Sequence, residues 1–402
     1  MKLVGDIMKK VYLEPIGCCR RRLLDASKLI RYFRKNNCSI VKDPSEADHI
    51  ILVTCAFQKS REDSCFEAIN KYSAYEGNLI VTGCLPGIAP SRLKDEFKGQ
   101  FLVTKDLDSI DKFFPDFKCQ FSTLSDSHEE FKVSMFKRIL SHLEFTRPFH
   151  LRFINFLKGA LSFRQLGRKS ALLRVCSGCL GNCSYCAIRF STGKINSKPI
   201  SICNREYNGL LEKGYNHFVI CGEDIGAYGI DIGSSLPKLF ENLCSIDQSF
   251  KVSWEIPELH PRWAIKYKDE LVKNIKSGKI VKLGCPIQSG SNKILKLMNR
   301  FYDTDNMINS LIELRNSNPE LYLYTHMIIG FPSESDQDFQ DTLDLIKKIR
   351  FDHVLLFTYS ERKGTDAVQF DGKLSNQIKK ERLSKALNFF RKEKILAICH
   401  NA

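Results

Sequence analysis

Three cysteines fall within one short stretch, Cys179-Leu180-Gly181-Asn182-Cys183-Ser184-Tyr185-Cys186, at CxxxCxxC spacing. Thiolates on one tight loop can hold three irons of a cubane cluster and leave the fourth iron without a protein ligand, open to an outside one. Cys176 precedes them, so the stretch also reads CxxCxxxCxxC, the ligand set of an electron-transfer cluster or of zinc. Zinc is the weaker alternative, because structural zinc sites usually separate two CxxC pairs by a longer connection.

Composition sets the frame for this chemistry. The chain has 402 residues, 43% hydrophobic and 27% charged, enough for two or three well-buried domains. Its sixteen cysteines would suggest disulfides in a small secreted chain. This chain is large, and its first ten residues lack the uninterrupted apolar core of a signal peptide, so a reduced, cytoplasmic setting is expected. Apolar runs such as Ile50-Ile51-Leu52-Val53 fall far short of the roughly 20 residues that span a bilayer, so no membrane insertion is expected. The net charge of +15 favours a polyanionic partner such as RNA, although the basic residues are spread along the whole chain.

Elements that could position a second thiol site lie in the first quarter. Val11–Ile16 reads as a strand, with Pro15 implying an edge or a bulge. A helix follows, since Ala26, Ile30 and Phe33 recur at helical spacing. Then come the strand His49 to Thr54, the helix Arg61 to Tyr72 and the strand Leu79 to Thr82, an order that predicts a small parallel α/β sheet. Cys18 and Cys19 follow the first strand, Cys55 ends the second and Cys84 ends the third. In an open parallel sheet the carboxyl ends share one edge, so cysteines distant in sequence converge there, where a lone one would be read as an inert buried thiol.

Residues 106–170 are the least informative; Phe149 to Lys169 reads as a linker helix packed across a domain boundary. Beyond it, strands are predicted at Leu172–Val175, His217–Cys221, Val252–Ile256, Ile280–Gly284, Leu321–Gly330 and His353–Tyr359. Helices are predicted at Ser235–Leu243, Ala264–Ile275, Asp305–Leu314 and Asp336–Ile349, and a basic helical tail at Ser375 to Ile398. Six such units are too few for a closed eight-unit barrel.

The wording after these strands carries a resemblance. Gly178-Cys179 to Cys186, Gly222 to Asp231, Pro286 to Arg300, Ile329 to Phe339 and Tyr359 to Ala367 are similar to the radical S-adenosylmethionine (SAM) methylthiotransferase signature. Gly17-Cys18, Ala47 through Cys55, and Thr82-Gly83-Cys84 resemble the same family's N-terminal domain. The chain departs from the pattern at Arg22 and Val53, where Asn is usual, at Thr192, where Arg is usual, and at His326, where Asp is common. No TRAM domain is recognisable at its end.

The resemblance implies an N-terminal Rossmann-like methylthiotransferase domain over residues 9–115, a linker over 116–170 and an open (β/α)6 radical SAM partial barrel over 171–402. It implies two [4Fe–4S] clusters and SAM as cofactors. Cys179, Cys183 and Cys186 would hold the cluster that cleaves SAM to a radical able to abstract hydrogen from an unactivated C–H bond. Cys18 or Cys19, with Cys55 and Cys84, would hold an auxiliary cluster that carries sulfur. Tyr185, Glu223, Gln288 and Ser289 are the residues expected to position SAM, strand-end structural roles being their alternative. Cys38, Cys65, Cys119, Cys203, Cys221, Cys244, Cys285 and Cys399 are read as ordinary thiols.

Three functions follow. The first is methylthiolation of a modified adenosine in tRNA, since Leu180-Gly181-Asn182 and Glu223 to Gly229 look closest to the branch that acts on threonylcarbamoyl adenosine. The second is methylthiolation of a protein or ribosomally made peptide. The third is a non-catalytic iron–sulfur electron carrier. The first two also imply an external electron donor.

Overall fold

In the computed structural model residues 8–129 and 169–399 are described. The expected linker helix at Phe149 to Lys169 lies outside them, apart from Lys169 itself. The described chain is organised around two mainly parallel sheets.

The first sheet contains β1 (Lys10–Ile16), β2 (Ser39–Ile40), β3 (His49–Thr54), β4 (Asn78–Gly83) and β5 (Gln100–Phe101), in the order β2-β1-β3-β4-β5, all parallel. The central strands β3 and β4 are runs of β-branched and apolar residues buried on both faces, as a sheet covered by helices requires. One face packs Ile50, Leu52 and Val81 against the helix Lys59–Tyr72; the other packs Val11, Ile51 and Val53 against the helix Arg20–Lys35. Pro15 lies in β1 beyond the reach of the short β2, which pairs only with Lys10 and Val11, so its missing N–H breaks no ladder. The register sets Ile16 beside Thr54 and Thr54 beside Gly83. The residues that follow each of these therefore emerge together at one edge.

The second sheet holds β6 (His128–Glu129), β7 (Ser170–Arg174), β10 (His217–Cys221), β11 (Ser253–Ile256), β12 (Ile280–Gly284), β13 (Tyr322–Ile329), β14 (His353–Thr358) and β15 (Leu396–Cys399), with β8 (Cys176–Ser177) and β9 (Asn196–Ser197) forming a separate ribbon. Apart from antiparallel β6, it is parallel throughout and open at both ends. The predicted strands lie where expected.

Two expectations need correction. The helix Ala264–Ile275 is two helices, Pro261–Lys266 and Lys268–Lys276, separated at Tyr267, whose backbone (φ −108°, ψ 24°) leaves the helical range. The tail is not helical to Ile398. Its helix is Asn376–Lys392, Lys394 turns left-handed at φ 58°, and the apolar run Leu396–Cys399 then adds a seventh parallel strand beside β14. Four residues are too few to show a period in sequence.

The two halves meet along the first helix. Leu24 packs against Leu172, Val219 and Cys221 on the barrel strands, while Arg20, Arg21 and Arg22 on the same turn pair with Glu255, Glu258 and Glu223. Elsewhere the helix Leu85–Ile88 lies against the helix Ile188–Thr192, where Gly87 is needed: a Cβ there would come within 2.5 Å of Ser191 Cα.

Candidate functional site

The loop after β8 turns sharply because Gly178 takes φ 73°, with the Lys194 carbonyl where a side chain would stand. The chain then presents Cys179, Cys183 and Cys186 in close succession. Gly181 donates its N–H to Cys179 Sγ at 3.2 Å, Cys186 N donates to the Cys183 carbonyl at 3.0 Å, and Arg300 Nη1 lies 3.7 Å from Cys183 Sγ. Burial pushes the Cys186 thiol up to about 11, with Cys183 beside it adding to the shift. Burial likewise raises Cys179, with Asp224 as the next cause and Cys186 and Cys183 after it, so the three thiols share one electrostatic neighbourhood.

Cys176 does not join them. Its side chain packs into the main barrel core with Cys203, and its Sγ approaches the Asp224 carbonyl. The four-ligand reading of this stretch therefore lacks its fourth ligand. Every described cysteine is a free thiol. Among the described residues no three His, Cys, Asp or Glu side chains gather as ligands of a single ion do. Cluster thiolates, which each bind a different iron, do not need that geometry. The donor set, three clustered thiols with an N–H and a guanidinium directed at them, fits an iron–sulfur cluster with one open iron.

The second group forms where the first sheet's register predicts. Cys84 N donates to the Thr54 carbonyl at 2.9 Å, which fixes the ends of β3 and β4 together. Burial raises the Cys55 thiol, and the charged neighbours that push it further are Cys19 and then Cys84. Burial also takes Cys84 to about 11, opposed by Arg22. Cys18 and Cys19 both lie near this pair but differ in their bonds, Cys55 being the first charged neighbour that raises the buried Cys18 thiol further. Cys18 Sγ donates to the Val53 carbonyl at 3.0 Å and packs on the sheet core, whereas Cys19 is exposed at the N-terminus of the helix Arg20–Lys35 without a capping hydrogen bond.

The residues expected to position SAM divide in two. Glu223 is fully engaged with protein: Oε1 accepts from Arg22 at 2.8 Å and Oε2 from the Gly178 N–H at 3.1 Å. Ser289 is buried, its hydroxyl accepting from Ser291 N and lying 3.3 Å from Thr342 Oγ1. Tyr185 lies within the loop, its hydroxyl accepting from Arg300 at 3.2 Å and its ring edge-on to Phe331. Gln288 differs from these. It is held at φ 69° between backbone bonds to His326 and Ile328, and its buried Oε1 finds no partner among the described residues. A strained, unsatisfied amide at a strand end is the kind of group a ligand completes.

Two further groups were not singled out in the sequence. Arg300 is buried and reaches Pro286 O, Tyr185 and Cys183, so it ties the fourth strand's loop to the cysteine loop. Asp224 lies 3.7 Å from Cys179 Sγ and is itself held by Arg262 at 2.7 Å and Trp263 Nε1 at 2.8 Å. Only their places in Met298-Asn299-Arg300 and Gly222-Glu223-Asp224 could have drawn attention to them.

Comparison with known proteins bears on this architecture. Residues 173–346 match the radical SAM superfamily, and residues 10–104 match the uncharacterized protein family UPF0004. A probable threonylcarbamoyladenosine tRNA methylthiotransferase of Pyrococcus horikoshii is 32% identical over 93% of this chain and 82% of its own length. The chain belongs to the radical SAM methylthiotransferase family. Another relative, the ribosomal protein uS12 methylthiotransferase RimO of Acetivibrio thermocellus, is 30% identical over 93% of this chain and 80% of its own length. Among solved structures, the radical SAM methyltransferase TsrM of Kitasatospora setae shares the fold at a TM-score of 0.61, with 10% identity, 90% of this chain and 77% of that one. This methylthiotransferase is thus an enzyme of a class that works with SAM and [4Fe–4S] clusters, and not a bare electron carrier. None of its described helices is long and apolar enough to cross a membrane.

Proposed function

We propose that this methylthiotransferase inserts sulfur into an unactivated C–H bond of a modified adenosine in tRNA and methylates it. The observation that carries the reading is the pair of cysteine groups, one on the loop after β8 and one at the strand ends of the first sheet, in two halves joined along the first helix. Cys179, Cys183 and Cys186 would hold one cluster, and Cys19, Cys55 and Cys84 the other, with Cys18 left in the sheet core. When bound, the clusters and SAM supply the one-electron chemistry, the sulfur and the methyl group. The protein's own part is placement. Arg300 and Gly181 N–H direct positive charge at the first trio, Gln288 offers an unsatisfied carbonyl toward a ligand, and Asp224 is pinned beside Cys179.

Two facts support tRNA as substrate: the net charge of +15, which suits a phosphate backbone, and the likeness to relatives named for threonylcarbamoyladenosine in tRNA. The similarly placed RimO relative keeps a protein substrate as the second reading. An external donor must supply the electrons in either case. The test is mass analysis of digested bulk tRNA after incubation with anaerobically reconstituted protein, SAM, a sulfur source and reductant. A new methylthiolated adenosine is expected. Cleavage of SAM without any change in a tRNA pool that carries the precursor overturns the tRNA reading and turns attention to peptides.

A further inference from the structure

Arg22 stands on the same helical turn as Cys19, at a place where a chain of charged contacts leads from that helix to the loop of Cys179. Its side chain is 2% exposed, yet it carries a full charge. Nη1 pairs with Asp25 at 2.9 Å, and Nη2 donates to Glu223 Oε1 at 2.8 Å. The other oxygen of Glu223 accepts the N–H of Gly178, the residue before Cys179. Behind Arg22, Arg174 of β7 donates to Asp25 at 2.7 Å and to the Arg21 carbonyl at 2.6 Å. One guanidinium thus reaches from the helix that begins at Cys19 to the loop that begins at Cys179.

Stability alone is a poor account of such an arrangement. Desolvating several charges at a junction commonly costs as much as their attraction returns, and an apolar contact of equal volume would pack as well. Leu24, one turn on from Arg20 and Arg21 in the same helix, already makes that apolar contact with Leu172, Val219 and Cys221. Burial by itself would lower the Arg22 pKa; Asp25, Cys84 and Glu223, in that order, more than offset it, so negative charge from both sides of the junction falls on this one group.

We propose that Arg22 is a positioning residue shared by the two cluster sites, holding Glu223 against the Gly178 amide and setting the charge beside the Cys19, Cys55 and Cys84 trio. The inference rests on the proposed auxiliary cluster at that trio. A fixed positive charge beside a cluster stabilises its reduced form, which carries one more electron, and so raises its reduction potential; a fixed negative charge does the opposite.

The experiment uses the full chain with Cys179, Cys183 and Cys186 all replaced by Ala, reconstituted anaerobically with iron and sulfide so that only the auxiliary trio can load. Iron content and an EPR-monitored redox titration are then compared for Arg22→Met, Arg22→Lys and Glu223→Gln in that parent. At unchanged iron content, Arg22→Met is expected to lower the midpoint potential, Glu223→Gln to raise it, and Arg22→Lys to leave it near the parent's. Shifts of opposite sign are what charge produces and what loosened packing does not. Full iron with unmoved potentials, or shifts of the same sign for Arg22→Met and Glu223→Gln, overturns the inference and leaves the cluster reading intact. Should Arg22→Met fail to fold, an unmoved potential in Glu223→Gln overturns it equally. A parent that takes up no iron overturns the auxiliary-cluster reading itself, and this inference falls with it.

Discussion

Gln288 combines a left-handed backbone with a buried carbonyl oxygen that has no partner among the described residues, two costs of about 1–3 kcal/mol each. Replacing it with Ala removes the orphan oxygen, so Gln288→Ala is expected to keep or raise stability while weakening SAM binding. Urea unfolding and equilibrium dialysis with SAM measure the two separately, and a variant that binds SAM as tightly as the parent would remove Gln288 from the site. The cysteines make a sharper case. Both Cys18 and Cys19 share the environment of Cys55 and Cys84, but Cys18 spends its S–H on the Val53 carbonyl. Cys19→Ala is therefore expected to lose the auxiliary cluster's iron and Cys18→Ala to retain it, as read by iron and sulfide analysis. Sequence left these neighbours undecided, because the pattern that the chain resembles sets a glycine directly before its cysteine, as Gly17 is before Cys18, and an Asp six residues after it, as Asp25 is after Cys19. Only the hydrogen bond of Cys18 to the Val53 carbonyl and the exposure of Cys19 separate them.

At the level of elements, parallel strands buried on both faces announce themselves as apolar runs, which is why β3 and β10 were legible. The short pieces were not. β2, β5 and β15 are two to four residues long and owe their existence to a neighbour's free edge rather than to any pattern of their own. The contact between the helices Leu85–Ile88 and Ile188–Thr192 was hidden for the same reason, since nothing local shows what a glycine faces. It has a measurable consequence. Gly87→Ala forces a methyl group onto the Ser191 backbone and is expected to cost about 1–3 kcal/mol. Because one helix follows Cys84 and the other follows Cys186, iron retention by both trios should fall with it. A second joint lies where Asp126 meets Lys198 and Arg174. Burial alone would raise the Asp126 carboxyl, but those two cations hold it down at about 2 against an ordinary 3.8. The depressed value means that its stabilisation, about 2 kcal/mol, is present above about pH 4 and fades as pH falls toward 2. The stability gap between the parent and Asp126→Asn should accordingly narrow between about pH 4 and pH 2 in urea titrations.

Over the whole molecule, the two sheets are joined by ionic contacts whose partners lie hundreds of positions apart, a feature no sequence window can reveal. Glu62 of the first half meets Arg362 of the second, which is 4% exposed. The pair is asymmetric. Without Arg362, Glu62 keeps Lys59 at 2.9 Å and Arg92 at 3.0 Å; without Glu62, Arg362 has no carboxylate among its described ion pairs. Leaving a buried charge unpaired costs about 3–5 kcal/mol, so Glu62→Ala should destabilise more than Arg362→Ala. The probes to follow this are built in, because both tryptophans, Trp254 and Trp263, pack in the barrel core while far-UV circular dichroism reports both halves. If the junction makes one cooperative unit, fluorescence and dichroism should give coincident urea transitions in the parent protein. In Glu62→Ala the dichroism transition should begin at lower urea than the fluorescence transition, because the first half loses its anchor while the barrel core around the tryptophans is untouched. Coincident curves in the variant would mean that the arginines of the first helix, and not Glu62, hold the two cluster sites in register.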